Sequence, residues 1–461
     1  MSQEHKIYKP KPISGFPEWL PEYRAIELQW MDKLRAVFES YGFCSIETPS
    51  VEEVDALLAK GGDTEKEIYT LHRLQADAHE DKEARLALHF DLTVPLARYV
   101  AQHYNDLVFP FKRYQIQKSW RGERPQKGRF REFYQCDIDV INLDNLPLHF
   151  DAELPAVLFE AYQALHIPPV ELHISNRKIV VGYLQGLGVK DVSFVTRELD
   201  KLDKLGVEKV TKILADSFGG NSALAKRCID IVQTKWIEEA FTMLQNHPPS
   251  SLNQPSLEFN NLPILGPRAN DLCMQGIAEL KFVIANLSHL PKGSVIANPG
   301  IIRGLDYYTG TVVEVRFKGK PMAIGGGGRY DDLAGSFINQ KLPGIGVSIG
   351  LTRLFSMLLD DGYIKPGPKS PTQILVVLPE EARRGEAATT ANTLRNRGYN
   401  VELFHSDSKL KRQLAYAERK GIPYVWFPPF KDGQPHEVKN MLSGKQIHAD
   451  PEKWAMKGTS R

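Results

Sequence analysis

The sequence predicts an α/β (α+β) chain: an antiparallel sheet domain carrying a helical insertion, followed by a small C-terminal α/β domain. Three observations carry this. Two strand-like runs, residues 109–123 and 130–142, flank a basic, glycine-containing loop. Residues 192–290 change character and read as amphipathic helix. Beyond a linker rich in Pro, Gly and Ser, strand and helix patterns alternate, as in a largely parallel sheet.

The elements follow in order. PEYRAIELQWMDKLRAVFESYG (Pro21 to Gly42) has apolar residues at helical spacing and a glycine where a helix stops. FCSIETPSVEEV is a short strand ending near Pro49. KGGDTEKEIYTLHR is polar and reads as a loop. LTVPLARYVAQH is a helix with Thr93 and Pro95 near its start. The two runs FPFKRYQIQKSWRGE and FREFYQCDIDVIN form an antiparallel hairpin around RPQKGR, a loop longer than a tight turn needs. LDKLDKLGVEKVTKILADSF and NSALAKRCIDIVQTKWIEEAFTMLQ are amphipathic helices, and NHPPSSLNQPS is a surface loop. A second strand-rich block from Ser294 to Leu359 ends in GIGVSIGLTRLFSMLL, a strand turning into a helix at Gly350. KPGPKSPTQ (Lys365 to Gln373) is the linker. The expected organisation is therefore 1–191, first segment of the sheet domain; 192–290, helical insertion; 291–364, second segment; 365–373, linker; 374–461, C-terminal domain.

Composition bounds the function. The chain has 461 residues, too many for one core. Apolar residues make up 42% and charged residues 25%, a globular balance. The net charge is +2, so a nucleic-acid partner would have to be met by local basic patches. The four cysteines form no CxxC pair, so neither a zinc nor a redox motif is expected. MSQEHKIYKPKP lacks an apolar stretch, and no window approaches 18 uncharged apolar residues. A cytoplasmic protein without a membrane span is the expectation.

There is no GxxxxGK[ST] loop and no GxGxxG between strand and helix. A nucleotide would have to be held by arginines, whose planar fork grips phosphate oxygens in pairs. KSWRGERPQKGRFREFYQCDIDV supplies them. As a bare pattern it also fits a solvated basic hairpin. The segment resembles motif 2 of class II aminoacyl-tRNA synthetases. That resemblance implies Arg121 on the α-phosphate of ATP, Phe133 stacked on adenine and Glu123 at the adenine end.

HFDLTVPLARYV and IIRGLDYYTGTVVEV resemble signatures of histidyl-tRNA synthetases within that class. The resemblance implies that Arg303 contacts the α-phosphate. There a fixed cation would stabilise charge building on the pentacovalent phosphorus more than it stabilises the ground state. It implies an amino-acid pocket in which Asp91, Thr93 and Gln135 take the ammonium and Asp139 and Tyr308 take the imidazole nitrogens. Tyr307 belongs to the same motif. The bland alternative for Asp91 is a helix N-cap, a role that can coexist with the pocket, and for Asp139 it is a strand-end carboxylate. PGIGVSIGLTRLF resembles motif 3, which implies Arg353 at the γ-phosphate; the glutamate common before that arginine is Thr352 here. GGGGRYDDL matches a further family segment and adds Arg329 and Tyr330 to the pocket. Pro49 falls where motif 1 places a proline at a dimer interface, so a homodimer is implied.

The C-terminal domain resembles the anticodon-binding domain of class IIa enzymes. Its basic helix (Lys409, Lys411, Arg412, Arg419, Lys420) suits phosphate contacts or simple solvation. The tail IHADPEKWAMKGTSR departs from the usual final helix. The implied substrates are L-histidine, ATP and tRNA(His), with Mg2+ accompanying ATP and no protein ligand for it evident. One alternative is a non-catalytic synthetase paralogue that regulates ATP phosphoribosyltransferase in histidine biosynthesis. Such chains lose the RGLDYY segment or motif 2 residues, and both are intact here.

Overall fold

The computed structural model describes residues 8–58, 66–73, 85–232, 271–302, 308–332 and 334–456. The chain divides into two compact units, Met1–Pro17 with Trp30–Tyr363 and Glu18–Gln29 with Ile364–Arg461.

The strands of the first unit are β1 Cys44–Ser45, β2 Val51–Glu53, β3 Tyr69–Leu71, β4 Leu86–Leu88, β5 Phe111–Trp120, β6 Glu132–Ile141, β7 Val170–Asn176, β8 Val295–Ala297, β9 Thr311–Phe317, β10 Ala323–Tyr330 and β11 Gly344–Gly350. Among the described residues, eight of them form one sheet in the order β1-β5-β6-β11-β10-β9-β7-β8, and β2-β4-β3 form a small one. The pairs from β5 across to β7 are antiparallel, and the expected hairpin is the β5–β6 pair, with Phe111 opposite Ile141 and Trp120 opposite Glu132.

Side chains alternate across a strand. On β6 the odd-numbered residues Gln135, Asp137 and Asp139 therefore share one face, and Cys136, Ile138 and Val140 enter the core on the other. Register extends the polar face sideways. Arg113, Asp139, Gly346 and Gly328 lie abreast, as do Gln115, Asp137, Ser348 and Gly326. The opposite face is covered by the helix Phe150–Ala164, in which the Tyr162 hydroxyl donates to the Ile324 carbonyl at 2.9 Å.

The helix Thr93–Gln102 forms as expected. So do helices within the expected insertion: Val192–Leu199, Leu202–Leu205, Val207–Ser217 and Ser222–Asp230. NHPPSSLNQPS lies outside the described residues, as does part of KGGDTEKEIYTLHR. The helix Asp271–Asn286 packs on Arg177–Gly186 and on β7. A Cβ on Gly276 would lie 2.7 Å from the Ile179 nitrogen, so this close crossing admits only glycine. That end of the insertion block thus shares a core with the sheet.

In the second unit, β12 Ile374–Val376, β13 Val401–Leu403, β14 Tyr424–Phe427, β15 Glu437–Asn440 and β16 Gln446–His448 form a sheet in the order β13-β12-β14-β15-β16. β12 is parallel to β13 and β14, and the last two strands add antiparallel. Helices Arg384–Asn396 and Leu410–Lys420 complete the β-α-β pattern read in the sequence. The unusual tail folds back: Trp454 stacks edge-on against Tyr424 and Trp426, which is fully buried. Among the described residues no helix is long and apolar enough to cross a membrane.

Candidate active site

Two adjoining cavities open on the polar face of the large sheet. They share Arg121, Gln135, Gly326 and Ser348 as lining.

The first, about 310 Å³, is lined by Arg121, Glu123, Arg129, Phe133 and Arg353 over a floor of Gly325, Gly326 and Gly350. The end of β5 delivers Arg121 here. Its Nε donates to the Phe90 carbonyl at 3.0 Å, and its guanidinium lies 5.0 Å from the Phe133 ring centroid. A backbone carbonyl and a ring thus hold the cation, and the Glu67 carboxyl lies near enough to feel its charge. Arg129 from the hairpin loop pairs with Glu123 at 2.9 Å. Glu123 also bonds Glu67, whose carboxyl is pushed up by burial and by that neighbouring charge. Gly128, at φ +72°, turns the loop over Arg353, with 3.7 Å to its Cγ from the position a Cβ would take. Thr352 is accounted for: its Oγ1 accepts from the Tyr134 amide at 2.8 Å and ties the start of helix Leu351–Asp360 to β6.

The second cavity, about 220 Å³, is lined by Asp91, Thr93, Gln135, Asp137, Asp139, Tyr308, Tyr330 and Ser348, among others. Asp91 Oδ1 accepts the amides of Thr93 and Val94 at 3.2 and 3.1 Å, so it does cap the helix while facing the cavity. Asp139 is 4% exposed, lies 2.6 Å from Arg113, and accepts from the Tyr330 hydroxyl at 2.9 Å. Gln135 Nε2 donates to Ser348 Oγ at 3.2 Å, and Ser348 bonds the Asp137 carboxyl. Burial is the main cause that pushes Asp137 up to about 7; the Asp139 and Asp91 charges add to it, and Arg113 and Ser348 oppose it. Burial, then Asp139, Asp137 and Asp91, raise the Tyr308 phenol, so it stays a neutral hydroxyl. The glycines make this possible. A Cβ on Gly346 would fall 2.0 Å from Asp139 Oδ1, and one on Gly328 would fall 2.8 Å from the Tyr308 ring.

The fold therefore brings Arg121, Glu123, Phe133 and Arg353 to one cavity and Asp91, Thr93, Gln135, Asp139 and Tyr308 to the other, with Arg121 and Gln135 at the junction. Arg303 and Tyr307 lie outside the described residues. Arg329 must be corrected: it turns to the other face of β10 and pairs with buried Asp151, its Nε 3.0 Å from Oδ1. Tyr330, one residue on, faces the cavity. Sequence reasoning missed Asp137, Ser348 and Arg113. The signal for Asp137 was present, because it has the same strand parity as Gln135 and Asp139.

Chemically, one cavity offers arginines and an aromatic ring, suited to phosphates and a planar base. The other is rich in acceptors and suited to an ammonium and polar N–H groups. Among the described residues no three His, Cys, Asp or Glu side chains converge as a metal set.

Comparison with known proteins gives two family matches. A family model described as "Histidyl-tRNA synthetase" matches residues 15–354, and one described as "Anticodon binding domain" matches 373–447. The histidine–tRNA ligase of Thermobifida fusca (strain YX) is 52% identical over 98% of this chain and 99% of the relative. That of Bifidobacterium animalis subsp. lactis (strain AD011) is 45% identical over 96% and 95%. The crystal structure of histidyl-tRNA synthetase from Nostoc sp. PCC 7120 superposes with a TM-score of 0.80 at 35% identity, covering 96% of this chain and 97% of that one.

Proposed function

This chain belongs to the histidyl-tRNA synthetase family, and from that premise we propose that it is a histidine–tRNA ligase. It activates L-histidine with ATP to histidyl-adenylate and pyrophosphate, then transfers histidine to the 3′ end of tRNA(His). The observation that carries the reading is the junction of an arginine-lined cavity with an acceptor-lined one at Arg121 and Gln135.

ATP occupies the first cavity. Phe133 stacks on adenine with Glu123 at that end, Arg121 grips the α-phosphate, and Arg353 meets the γ-phosphate. Arg303 joins Arg121 at the α-phosphate, where both cations stabilise charge that develops only as the carboxylate attacks. Histidine occupies the second cavity, its ammonium towards Gln135, Thr93 and Asp91 and its ring towards Asp139 and Tyr308, with Tyr307 in support. Its carboxylate then points to the junction, which is where the bond forms. Mg2+ would accompany ATP and offset phosphate charge, and among the described residues no cluster of His, Cys, Asp or Glu offers it a protein site.

The domains follow the same division: 1–191 and 291–364 catalytic, 192–290 inserted, 365–373 linker, 374–461 anticodon-binding. The protein works as a cytoplasmic homodimer, with Pro49 at the interface.

ATP–pyrophosphate exchange with each of the twenty amino acids tests the reading. Exchange is expected with histidine alone; exchange supported by another amino acid and not by histidine would overturn it. The regulatory alternative predicts no exchange at all.

A further inference from the structure

We propose that Asp137 supplies the counter-charge for the α-ammonium of the amino-acid substrate; this rests on the reading of the second cavity as the histidine pocket. Three observations lead there.

The first concerns acceptors. Gln135 Oε1 and Asp137 Oδ1 are both buried and have no hydrogen-bond partner among the described residues. Asp137 is 5% exposed, and both residues line the cavity from one face of one strand. Leaving buried acceptors unpaired is costly, so these two suit a donor that arrives with the ligand.

The second concerns orientation. Gln135 spends its amide N–H on Ser348 Oγ at 3.2 Å, and Ser348 in turn bonds Asp137. This relay turns the carbonyl end of Gln135 away from Ser348 and fixes the Asp137 carboxyl beside it. An ammonium has three donors. Gln135 Oε1, Asp137 Oδ1 and the Thr93–Asp91 pair furnish three acceptors around one cavity.

The third is a charge count. Arg113 neutralises Asp139 at 2.6 Å, and the Tyr330 hydroxyl occupies the same carboxylate at 2.9 Å. Asp91 Oδ1 is committed to two helix amides. Asp137 keeps a buried oxygen, Oδ1, with no hydrogen-bond partner among the described residues. Burial and the facing Asp139 and Asp91 charges oppose its ionisation against Arg113 and Ser348, and a bound ammonium would relieve that opposition.

The experiment uses the full chain and its Asp137→Asn variant, with dissociation constants measured for three probes. Histidine and histidinol carry the ammonium; 3-(imidazol-4-yl)propanoate lacks it and keeps the ring. Asp137→Asn is expected to weaken histidine and histidinol about tenfold or more, the scale of a lost charged hydrogen bond, while the propanoate stays within about twofold. Equal weakening of all three would make Asp137 a ring reader or a structural group and would overturn the proposal; so would unchanged binding of histidine. Ser348→Ala is a second variant, expected to weaken the same two probes. Should wild-type protein fail to support histidine-dependent exchange, the functional reading fails. Should wild type bind histidine and Asp137→Asn bind it equally well, this inference alone fails.

Discussion

Arg113 and Asp139 meet at 2.6 Å with Arg113 fully buried and Asp139 nearly so. Removing one partner of a buried pair strands the other's charge and costs about 3–5 kcal/mol. Arg113→Met should therefore lower the melting temperature markedly, and Asp139→Asn should do the same. The double variant should be more stable than the sum of the two losses, since neither charge is then orphaned. Strict additivity in a thermal-melt cycle would show that the pair is not coupled. Asp139→Asn should also raise the KM for histidine far more than that for ATP; a collapse of ATP affinity instead would mean the pocket is assigned wrongly.

Asp137 carries the opposite trade. Its folded pKa is raised from the usual 3.8 to about 7. A raised pKa contributes stability that is present below the unfolded value and lost as pH climbs through the folded one. The unliganded protein should thus lose stability between about pH 4 and pH 7 through this group, by up to about 4 kcal/mol. Asp137→Asn removes the titration. Its melting temperature should match wild type near pH 4, rise above it across that window and hold a constant advantage above it. An advantage that is the same at every pH would argue against the burial account. Saturating histidine should shrink the gap, because the ammonium stabilises the ionised wild-type carboxyl.

Gly346 offers a sharper steric test. A methyl group there would sit 2.0 Å from Asp139 Oδ1. Gly346→Ala must push the carboxylate off Arg113 or spread β6 from β11. Histidine affinity should drop by an order of magnitude or more, on the scale of a disrupted charged contact, with ATP binding retained. Wild-type histidine affinity in this variant would contradict the close approach.

These tests separate what the sequence held from what it did not. Alternation on β6 was readable, and it was enough to place Gln135, Asp137 and Asp139 together. Alternation on β10 equally separates Arg329 from Tyr330, and treating the two as a unit missed that. Cross-strand register was not readable. Nothing near Arg113 in the chain announces Asp139, because their meeting depends on β5 pairing with β6 at one offset among several. Thr352 was visible only as a departure from motif 3, since its partner, the Tyr134 amide, is 218 positions away. The Pro/Gly/Ser linker and the β-α-β pattern after it were legible because turn chemistry and periodicity are local. The docking of Trp454 was not, because it depends on a finished aromatic core.

Arg121 and Arg303 should separate binding from chemistry. Arg121→Lys keeps a charge but loses the fork and the Phe133 stack. Histidine-dependent pyrophosphate exchange should fall about 10²–10³-fold, while histidine still binds. Arg303→Ala should cut adenylate formation by a similar order. Near-normal exchange in either variant would remove that arginine from the α-phosphate.

On the basic helix of the second unit, Lys409, Lys411, Arg412 and Arg419 are exposed, whereas Lys420 is held by Glu402 at 2.8 Å. Two cations on one solvent-facing turn suit phosphate contacts, and each such contact steepens the salt dependence of binding. Lys411→Glu with Arg412→Glu should leave pyrophosphate exchange unchanged, because adenylate formation needs only the first unit's cavities. Charging of tRNA should show a raised KM for tRNA and a salt slope reduced by about one to two. If charging keeps its wild-type KM and salt slope, this helix is a solvated face and the tRNA is held elsewhere on the unit.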